Sequence, residues 1–211
     1  MRRWENHLLN IFKEKIVFEY TTIQNLESPF LYKEKGSKFI GYAFQIEDKK
    51  EVETHLQEIK KEHPLARHIC YGYLLKDSYR AYDDGEPNGT AGLPIYNQIL
   101  SFGLNHVLVV VVRYFGGTKL GVSGLISAYK NTAKNTLAQC EKVQVEISFR
   151  LRIQCQYQNL SLLFAFLQNS QGKIQRQTLD ETCQFWVDFP LKSKADVIDK
   201  ISQYNFGFEE I

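Results

Sequence analysis

The chain has 211 residues, 44% of them hydrophobic, and a formal net charge of +2 from 26 basic and 24 acidic side chains. The hydrophobic content excludes a wholly disordered chain, and the near-balance of charge argues against a general polyanion binder, which carries a strong basic excess. The residues from Val143 onward carry a net charge of −1 and those before it +3, so an anionic partner is expected to meet the first part of the chain.

The cysteines, histidines and apolar runs argue against three further classes of protein. None of the four cysteines forms a C-x-x-C pair, so buried thiols in a reducing cytosol are expected. The five histidines lack metal-ligand spacing, which argues against a zinc site. No secretory signal is visible, and the longest apolar run, residues 107–112, is too short to cross a bilayer, so we expect a cytoplasmic protein.

The first part of the chain is predicted to mix strands and helices after an N-terminal extension, residues 1–15. Trp4, Leu8, Ile11 and Phe12 fall on one helical face of that extension. The predicted elements that follow are strands over 16–22 and over 32–46 with a break at 36–37, a helix over 49–63 capped by Asp48, a strand over 68–75, a polar loop over 77–89, a helix over 90–102, a buried strand over 106–115 and a helix over 125–140.

The pattern changes after Glu141 and Lys142, where we place a domain boundary. The elements predicted beyond it are a strand over 143–155, a helix over 158–167, strands over 173–178 and 183–189, a helix over 193–204 and an extended end over 206–211. That order, βαββαβ, is typical of the ferredoxin-like fold. The sequence therefore predicts an α+β protein with one domain over 16–142 and a second over 143–211.

A glycine-rich loop joins the buried strand to the next helix. Its candidate anion-binding residues are two bases, four glycines and a hydroxyl: Arg113, Lys119, Gly116, Gly117, Gly121, Gly124 and Ser123. Glycines allow backbone N–H groups to approach a ligand, and a helix N-terminus adds partial positive charge, so the loop suits a phosphate. Its spacing matches neither a P-loop nor the dinucleotide-binding fingerprint. The alternative is a tight strand-to-helix connection that needs glycine for steric reasons.

Three carboxylates, Asp83, Asp84 and Glu86, form an acidic turn before a predicted helix. Mg²⁺ prefers carboxylate and water ligands, so a Mg²⁺ site at Asp84 and Glu86 is one hypothesis, and no tightly bound cofactor is expected. The alternative is a solvated turn that caps the helix through Thr90. If this turn meets the glycine-rich loop, its carboxylates either pair with Arg113 or hold a cation against a bound phosphate.

Two further polar segments are candidate accessory sites. Ser37 and Lys38 lie at a break between two strands, and Arg67 and His68 begin another strand. A surface turn is the alternative in both cases.

Four sequence blocks together carry a family resemblance. They are GSKFI at 36–40, ARH at 66–68, DGEPNGTAGLP at 84–94 and VRYFGGTKLGVSGL at 112–125. In this order and spacing they resemble the YigZ/IMPACT family over about residues 16–140, and the rest of the chain is similar to the companion domain of the bacterial members. Where many bacterial members have glycine, this chain has Ser123, which supplies a hydroxyl donor.

The resemblance implies a fold for each domain and a connection to translation, but it identifies no catalytic residues. The first domain is expected to have the fold of the second domain of the small-subunit ribosomal protein number five, and the second to be similar to the fifth domain of elongation factor G. The eukaryotic relatives act in translational control through an RWD domain. Only about fifteen residues precede the family core, so that partner domain is expected to be absent and its role is not transferred.

Two functional hypotheses follow. The first is a module that binds RNA or the ribosome in a translation-associated role, with Lys38, Arg67, Arg113 and Lys119 as phosphate contacts, although no RNA-reading motif is present. The second is an enzyme acting on a phosphorylated small molecule or nucleotide at the glycine-rich loop and acidic turn, although neither motif contains a nucleophile–base pair.

Overall fold

The computed structural model describes residues 18–26, 28–76, 78–180, 182–204 and 206–211. The predicted extension over 1–15, with its apolar helical face, lies outside the described residues. The described chain divides into two compact units, one spanning Thr21–Val145 and one combining residues 18–20 with Glu146–Ile211. No helix in the described part of the chain is long and apolar enough to cross a membrane.

The first unit is built on a five-stranded antiparallel sheet with helices on both faces. Its elements are β1 (Glu19–Ile23), β2 (Phe30–Glu34), β3 (Ser37–Gln45), α1 (Lys49–Glu62), β4 (His68–Leu75), β5 (Ser78–Tyr82), α2 (Gly92–Ser101), β6 (Val107–Tyr114), α3 (Gly121–Ala138) and β7 (Lys142–Glu146). The strand order is β2-β3-β6-β4-β5, and β1 pairs with β7 in a separate two-stranded sheet.

The central strand β6 is buried on both faces, as its apolar sequence predicts. Residues 107–112 have no exposed surface. Their odd-numbered side chains belong to the core beneath α2 and α3, and their even-numbered side chains belong to the core beneath α1. A strand covered on both sides carries no polar alternation, which is why this segment is a continuous apolar run.

Two local predictions for the first unit are confirmed. Asp48 accepts a hydrogen bond from the Glu51 N–H at 2.9 Å and caps α1. The break predicted at 36–37 is present one residue earlier, as a two-residue hairpin turn at Lys35 and Gly36, whose φ angles of 44° and 81° are both positive. Two positive φ angles in succession are what a type I′ turn requires.

Several predicted boundaries are wrong. The first half of the predicted loop over 77–89 contains strand β5, which pairs with β4. Helix α2 begins at Gly92 rather than at residue 90, and α3 begins at Gly121 rather than at residue 125. The strand predicted over 143–155 is two strands, because pairing changes at Ile147 between β7 and the next strand.

The second unit has the predicted βαββαβ order. Its elements are β8 (Ser148–Gln156), α4 (Leu160–Asn169), β9 (Lys173–Thr178), β10 (Thr182–Pro190), α5 (Lys194–Gln203) and β11 (Gly207–Glu210). The strand order is β11-β8-β10-β9, with all pairs antiparallel. Alternate residues of β8 and β10 are buried in one core with the apolar side chains of both helices. The α+β fold class predicted for the chain is confirmed.

Candidate functional site

A cavity of about 530 Å³ opens in the first unit, where the ends of β4 and β6 meet the start of α3. That volume lies within the range of small-molecule sites in proteins. Its lining combines basic, acidic and apolar side chains with a glycine: Arg67, His68, Glu86, Pro87, Arg113, Phe115, Lys119, Leu120, Gly121, Val122 and Leu125. The structure thus brings the acidic turn, the glycine-rich loop and the Arg67–His68 segment to one place.

Arg113 and Glu86 form a buried ion pair in the wall of this cavity. Arg113 Nη1 donates to Glu86 Oε1 at 2.6 Å, and the two side chains are 6% and 4% exposed. The Tyr129 hydroxyl of α3 donates to the same carboxylate oxygen at 2.7 Å. Of the two roles that the sequence left open for Glu86, pairing with the arginine is therefore the one observed.

The strand register explains where the Arg113 side chain lies. In the sheet, Arg113 of β6 pairs with Phe39 of β3 on one side and with His68 of β4 on the other. Its guanidinium carbon lies 5.4 Å from the Phe39 ring centroid and 5.7 Å from that of Phe115. Two aromatic contacts and a carboxylate hold the cation in place, while its Nε has no hydrogen-bond partner among the described residues.

The other two carboxylates of the acidic turn bind the backbone. Asp83 accepts from the N–H groups of Gly89, Ala91 and Gly92 at 2.8–2.9 Å, so it holds the start of α2. The predicted cap, Thr90, instead donates its hydroxyl to the Pro87 carbonyl at 2.7 Å. Asp83 replaces Thr90 because the turn folds its carboxylate back onto the helix N-terminus, where N–H groups lack intrahelical partners.

The hypothesis of a Mg²⁺ site at Asp84 and Glu86 does not fit this geometry. Asp84 Oδ2 accepts from the Ile69 N–H at 2.7 Å, and Glu86 is held by Arg113 and Tyr129. A guanidinium bound to the carboxylate already supplies the positive charge that a cation would bring. In the part of the chain that the structure describes, no group of three or more His, Cys, Asp or Glu side chains is arranged to hold a metal ion.

His68 connects the turn to the ion pair. Its Nδ1 donates to the Asp84 carbonyl oxygen at 2.7 Å, which leaves Nε2 as the acceptor in the neutral ring. That Nε2 lies 3.9 Å from Glu86 Oε1. The imidazole therefore borders the cavity with its orientation fixed by the backbone of the acidic turn.

The glycine-rich loop packs directly on the β2–β3 turn. The Gly116 N–H donates to Ser37 Oγ at 3.2 Å, and a Cβ on Gly116 would lie 1.9 Å from the Gly36 carbonyl carbon. The steric alternative for this loop therefore holds at Gly116. Gly121 contributes to the cavity wall, whereas Gly116, Gly117, Ser123 and Gly124 are not among the lining residues.

The N-terminus of α3, with the partial positive charge of its helix dipole, lies at the cavity. Its N-cap residue is Leu120, which makes no side-chain capping hydrogen bond, and the first turn contains no acidic residue. Gly121 and Val122 of that turn line the cavity together with exposed Lys119. The N-terminus of an 18-residue helix favours an anion, by about 0.3–1 kcal/mol when exposed.

A second, smaller cavity adjoins the first through the ring of Phe115. It is lined by Gly36, Lys38, Ile40, His63, Tyr114 and Phe115. Phe115, which is 50% exposed, contributes to both cavities. We call the exposed side chains Phe115, Lys38, Arg67 and Lys119 the Phe115 surface.

Sequence reasoning missed three residues of this site. Phe115 lies within the family block at 112–125 and Tyr129 within the helix predicted over 125–140, but neither was a candidate site residue. The Cys70 thiol contacts the Asp83 carbonyl at 3.0 Å and the Tyr129 hydroxyl at 3.4 Å. Burial raises the pKa of both Cys70 and Tyr129, so neither is an activated nucleophile at neutral pH. For Phe115 the sequence did offer a signal, an aromatic residue directly before two glycines; for Tyr129 and Cys70 it offered none.

The comparisons with known proteins identify the class of protein. The Impact N-terminal domain family matches residues 35–137. The IMPACT family member YigZ of Escherichia coli (strain K12) is 30% identical over 178 residues, covering 82% of this chain and 87% of that protein. The IMPACT family member YvyE of Bacillus subtilis (strain 168) is 32% identical over 171 residues, covering 76% and 79%.

A solved structure described as a hypothetical protein has a TM-score of 0.70 to this chain at 27% identity, covering 93% of this chain and 98% of its own. The chain belongs to the IMPACT family, as its sequence blocks predicted.

Proposed function

We propose that this protein binds single-stranded RNA, free or exposed on the ribosome, through the Phe115 surface, in a translation-associated regulatory role in the cytosol. The observation that carries the proposal is the half-exposed Phe115 ring, which lies between two cavities and is bordered by exposed Lys38, Arg67 and Lys119. Proteins that bind single-stranded nucleic acids combine aromatic side chains, on which nucleobases stack, with basic side chains along the path of the phosphates.

The uncapped start of α3 supports a phosphate contact beside that platform. Gly121 and Val122 present the first turn of the helix to the cavity, next to Lys119. A phosphate there would accept from backbone N–H groups and from the ammonium group. Arg113 would act on the ligand indirectly, because its pairing with Glu86 holds the wall of the cavity on which Phe115 rests.

The number of exposed basic side chains sets the salt dependence that we expect for RNA binding. Of the four phosphate contacts predicted from the sequence, Arg113 is buried and paired, which leaves Lys38, Arg67 and Lys119. Three contacts to a single strand give a slope of log K against log salt of about −2. Because the net charge of the chain is only +2, the rest of the protein adds little long-range attraction for RNA beyond these three side chains.

The test is fluorescence anisotropy of a labelled single-stranded oligoribonucleotide of about ten nucleotides over a series of salt concentrations. Phe115→Ala is expected to weaken binding about 5-fold or more, because base stacking is lost. Lys119→Gln should reduce the slope by about 0.7. The matched control is Lys134→Gln, which changes an exposed lysine of α3 about 20 Å along the axis from the start of that helix.

RNA affinity that changes neither with salt concentration nor in Phe115→Ala would overturn the proposal. Pelleting the protein with purified ribosomes, with Phe115→Ala beside the wild type, distinguishes a ribosomal site from free RNA.

The second candidate function is action on a phosphorylated small molecule or nucleotide. The cavity volume of about 530 Å³ favours it, because such a space accommodates a nucleotide-sized ligand. A thermal-shift titration with nucleoside monophosphates tests it. This candidate predicts a rise in melting temperature that Lys119→Gln removes, without any RNA-dependent signal.

A further inference from the structure

The second unit presents a polar sheet face opposite its helices. Along β8 and β10, residues that point toward α4 and α5 are buried, and the intervening ones are partly exposed. The outward residues include Arg152 and Gln154 of β8 and Gln184 and Trp186 of β10. The strand register pairs Gln184 with Gln154 and Trp186 with Arg152, so these four side chains lie in two adjacent rows.

Trp186 lies between two arginines in the middle row of this face. The register places Arg176 of β9 on one side of Trp186 and Arg152 of β8 on the other. The Arg176 guanidinium carbon lies 4.8 Å from the Trp186 ring centroid. Arg152 forms an ion pair with Glu209, whose carboxylate oxygen lies 2.8 Å from Nη2, and the Arg152 Nε has no hydrogen-bond partner among the described residues. We call Trp186, Arg152, Arg176, Gln154 and Gln184 the Trp186 face.

Charge in this part of the chain is segregated onto that side of the sheet. From Val143 onward the chain has seven basic and eight acidic residues. Four of the seven basic residues, Arg150, Arg152, Lys173 and Arg176, lie on the outward side, and among the described strand residues the acids on that side are Asp188 and Glu209. Lys173 and Arg176 form no salt bridge within the described residues. A region of net charge −1 thus carries a positive face.

We infer that the Trp186 face binds single-stranded RNA, as a second site that extends the proposed function to the other unit. An aromatic residue on a central strand of a four-stranded antiparallel sheet can stack a base, as in the sheet modules that read RNA. Arg176 and Lys173 supply charge for the phosphates. Gln154 and Gln184 each carry an amide that both donates and accepts, which suits the edges of unpaired bases.

Intrinsic tryptophan fluorescence reports this site separately from the Phe115 surface. The chain has two tryptophans, Trp4 and Trp186, so Trp4→Phe leaves Trp186 as the sole indole. Titration of the Trp4→Phe protein with unlabelled oligoribonucleotide is expected to quench its emission saturably, because a base stacks on the indole. A DNA oligonucleotide of the same sequence, run in parallel, shows whether the ribose 2′-hydroxyl contributes.

Variants complete the test. In a Phe115→Ala, Lys119→Gln background, Trp186→Ala is expected to weaken anisotropy-detected binding about 5-fold or more, and Trp186→Phe less. Arg176→Gln should reduce the salt slope by about 0.7. The matched control is Lys200→Gln, because Lys200 lies on α5, which packs against the opposite side of the sheet.

The outcomes separate the two proposals. Quenching that persists in Phe115→Ala supports the Trp186 face even if the Phe115 surface proves inactive. If RNA does not quench the fluorescence of the Trp4→Phe protein, the proposal that the Trp186 face binds RNA is overturned. If, in that case, anisotropy still detects RNA binding and Phe115→Ala abolishes it, the proposed function at the Phe115 surface still holds. An equal effect of Lys200→Gln and Arg176→Gln also overturns the proposal for the Trp186 face, because the contact would then be unspecific charge.

Discussion

Each of the two units contains a hydrogen-bonded arginine–carboxylate pair, and the two pairs lie in opposite surroundings. Arg113 and Glu86 are 6% and 4% exposed, whereas Arg150 and Asp188 on the second unit's sheet are 46% and 17% exposed. Both arginines bond the carboxylate directly, but only Arg113 is enclosed by aromatic rings and a second donor. Water screens the exposed pair, and the buried pair has no such substitute if one partner is removed. The same pairing of charges is therefore shielded from water in one unit and accessible to water in the other.

The largest effect is expected for Arg113→Ala. Removing the guanidinium leaves the Glu86 carboxylate buried, with the Tyr129 hydroxyl as its remaining hydrogen-bond donor among the described residues, so the free energy of unfolding should fall by about 3–5 kcal/mol. Urea denaturation followed by circular dichroism measures it. The matched control, Arg67→Ala, removes an exposed arginine from the same cavity and should change stability by less than about 0.5 kcal/mol. Equal effects of the two variants would show that the buried pair contributes no special stability.

Asp83→Ala should have the second largest effect. Its carboxylate accepts from three N–H groups at the start of α2, and leaving these donors without an acceptor should cost about 2–3 kcal/mol. Asp83→Asn keeps one acceptor oxygen and should fall between the wild type and Asp83→Ala in a urea titration. Hydrogen exchange at Ala91 and Gly92 should accelerate in Asp83→Ala. Unchanged exchange there would contradict the capping role.

Tyr129→Phe should have a smaller effect. The variant keeps the buried ring and removes one donor from a carboxylate that retains Arg113, so the loss should be about 1–2 kcal/mol. Thermal unfolding compares it with Tyr157→Phe, which removes a hydroxyl from a 70% exposed side chain and should be neutral. A Tyr129→Phe protein as stable as the control would mean that Arg113 alone satisfies Glu86.

How far the sequence predicted this molecule depended on the range of each interaction. The Asp48 cap, the β6 core strand and the βαββαβ order were predicted because capping and hydrophobic periodicity are local signals. Strand β5 was missed because its stability comes from partners elsewhere in the chain, such as the stacking of Tyr79 on Tyr96 at 4.8 Å between ring centroids. Periodicity within five residues does not reveal such contacts.

The candidate site shows the same limit more sharply. Six of the eleven residues that line the cavity were candidate site residues from the sequence, but the sequence did not decide how they bond to one another. Glu86 and Arg113 are separated by 27 positions, so the choice between an ion pair and a cation site depended on a distance that only the folded sheet determines. Asp83 reaches eight or nine residues ahead to hold α2, beyond the short range of a standard N-cap pattern.

The smallest effect is expected for Arg150→Gln in the second unit. Because the pair with Asp188 is exposed to water, its loss should lower the free energy of unfolding by at most about 0.2–1 kcal/mol, and less at high salt. Urea titrations at low and high salt measure this difference, with Lys200→Gln, which breaks an exposed pair on α5, as the matched control. A cost for Arg150→Gln near that of Arg113→Ala would mean that the sheet face is covered in the folded protein, and it would remove the physical basis for a ligand there. A small, salt-sensitive cost instead means that Arg150 can exchange Asp188 for a phosphate with little loss of stability, so that it can add to the phosphate contacts of Arg176 and Lys173 when RNA binds the Trp186 face.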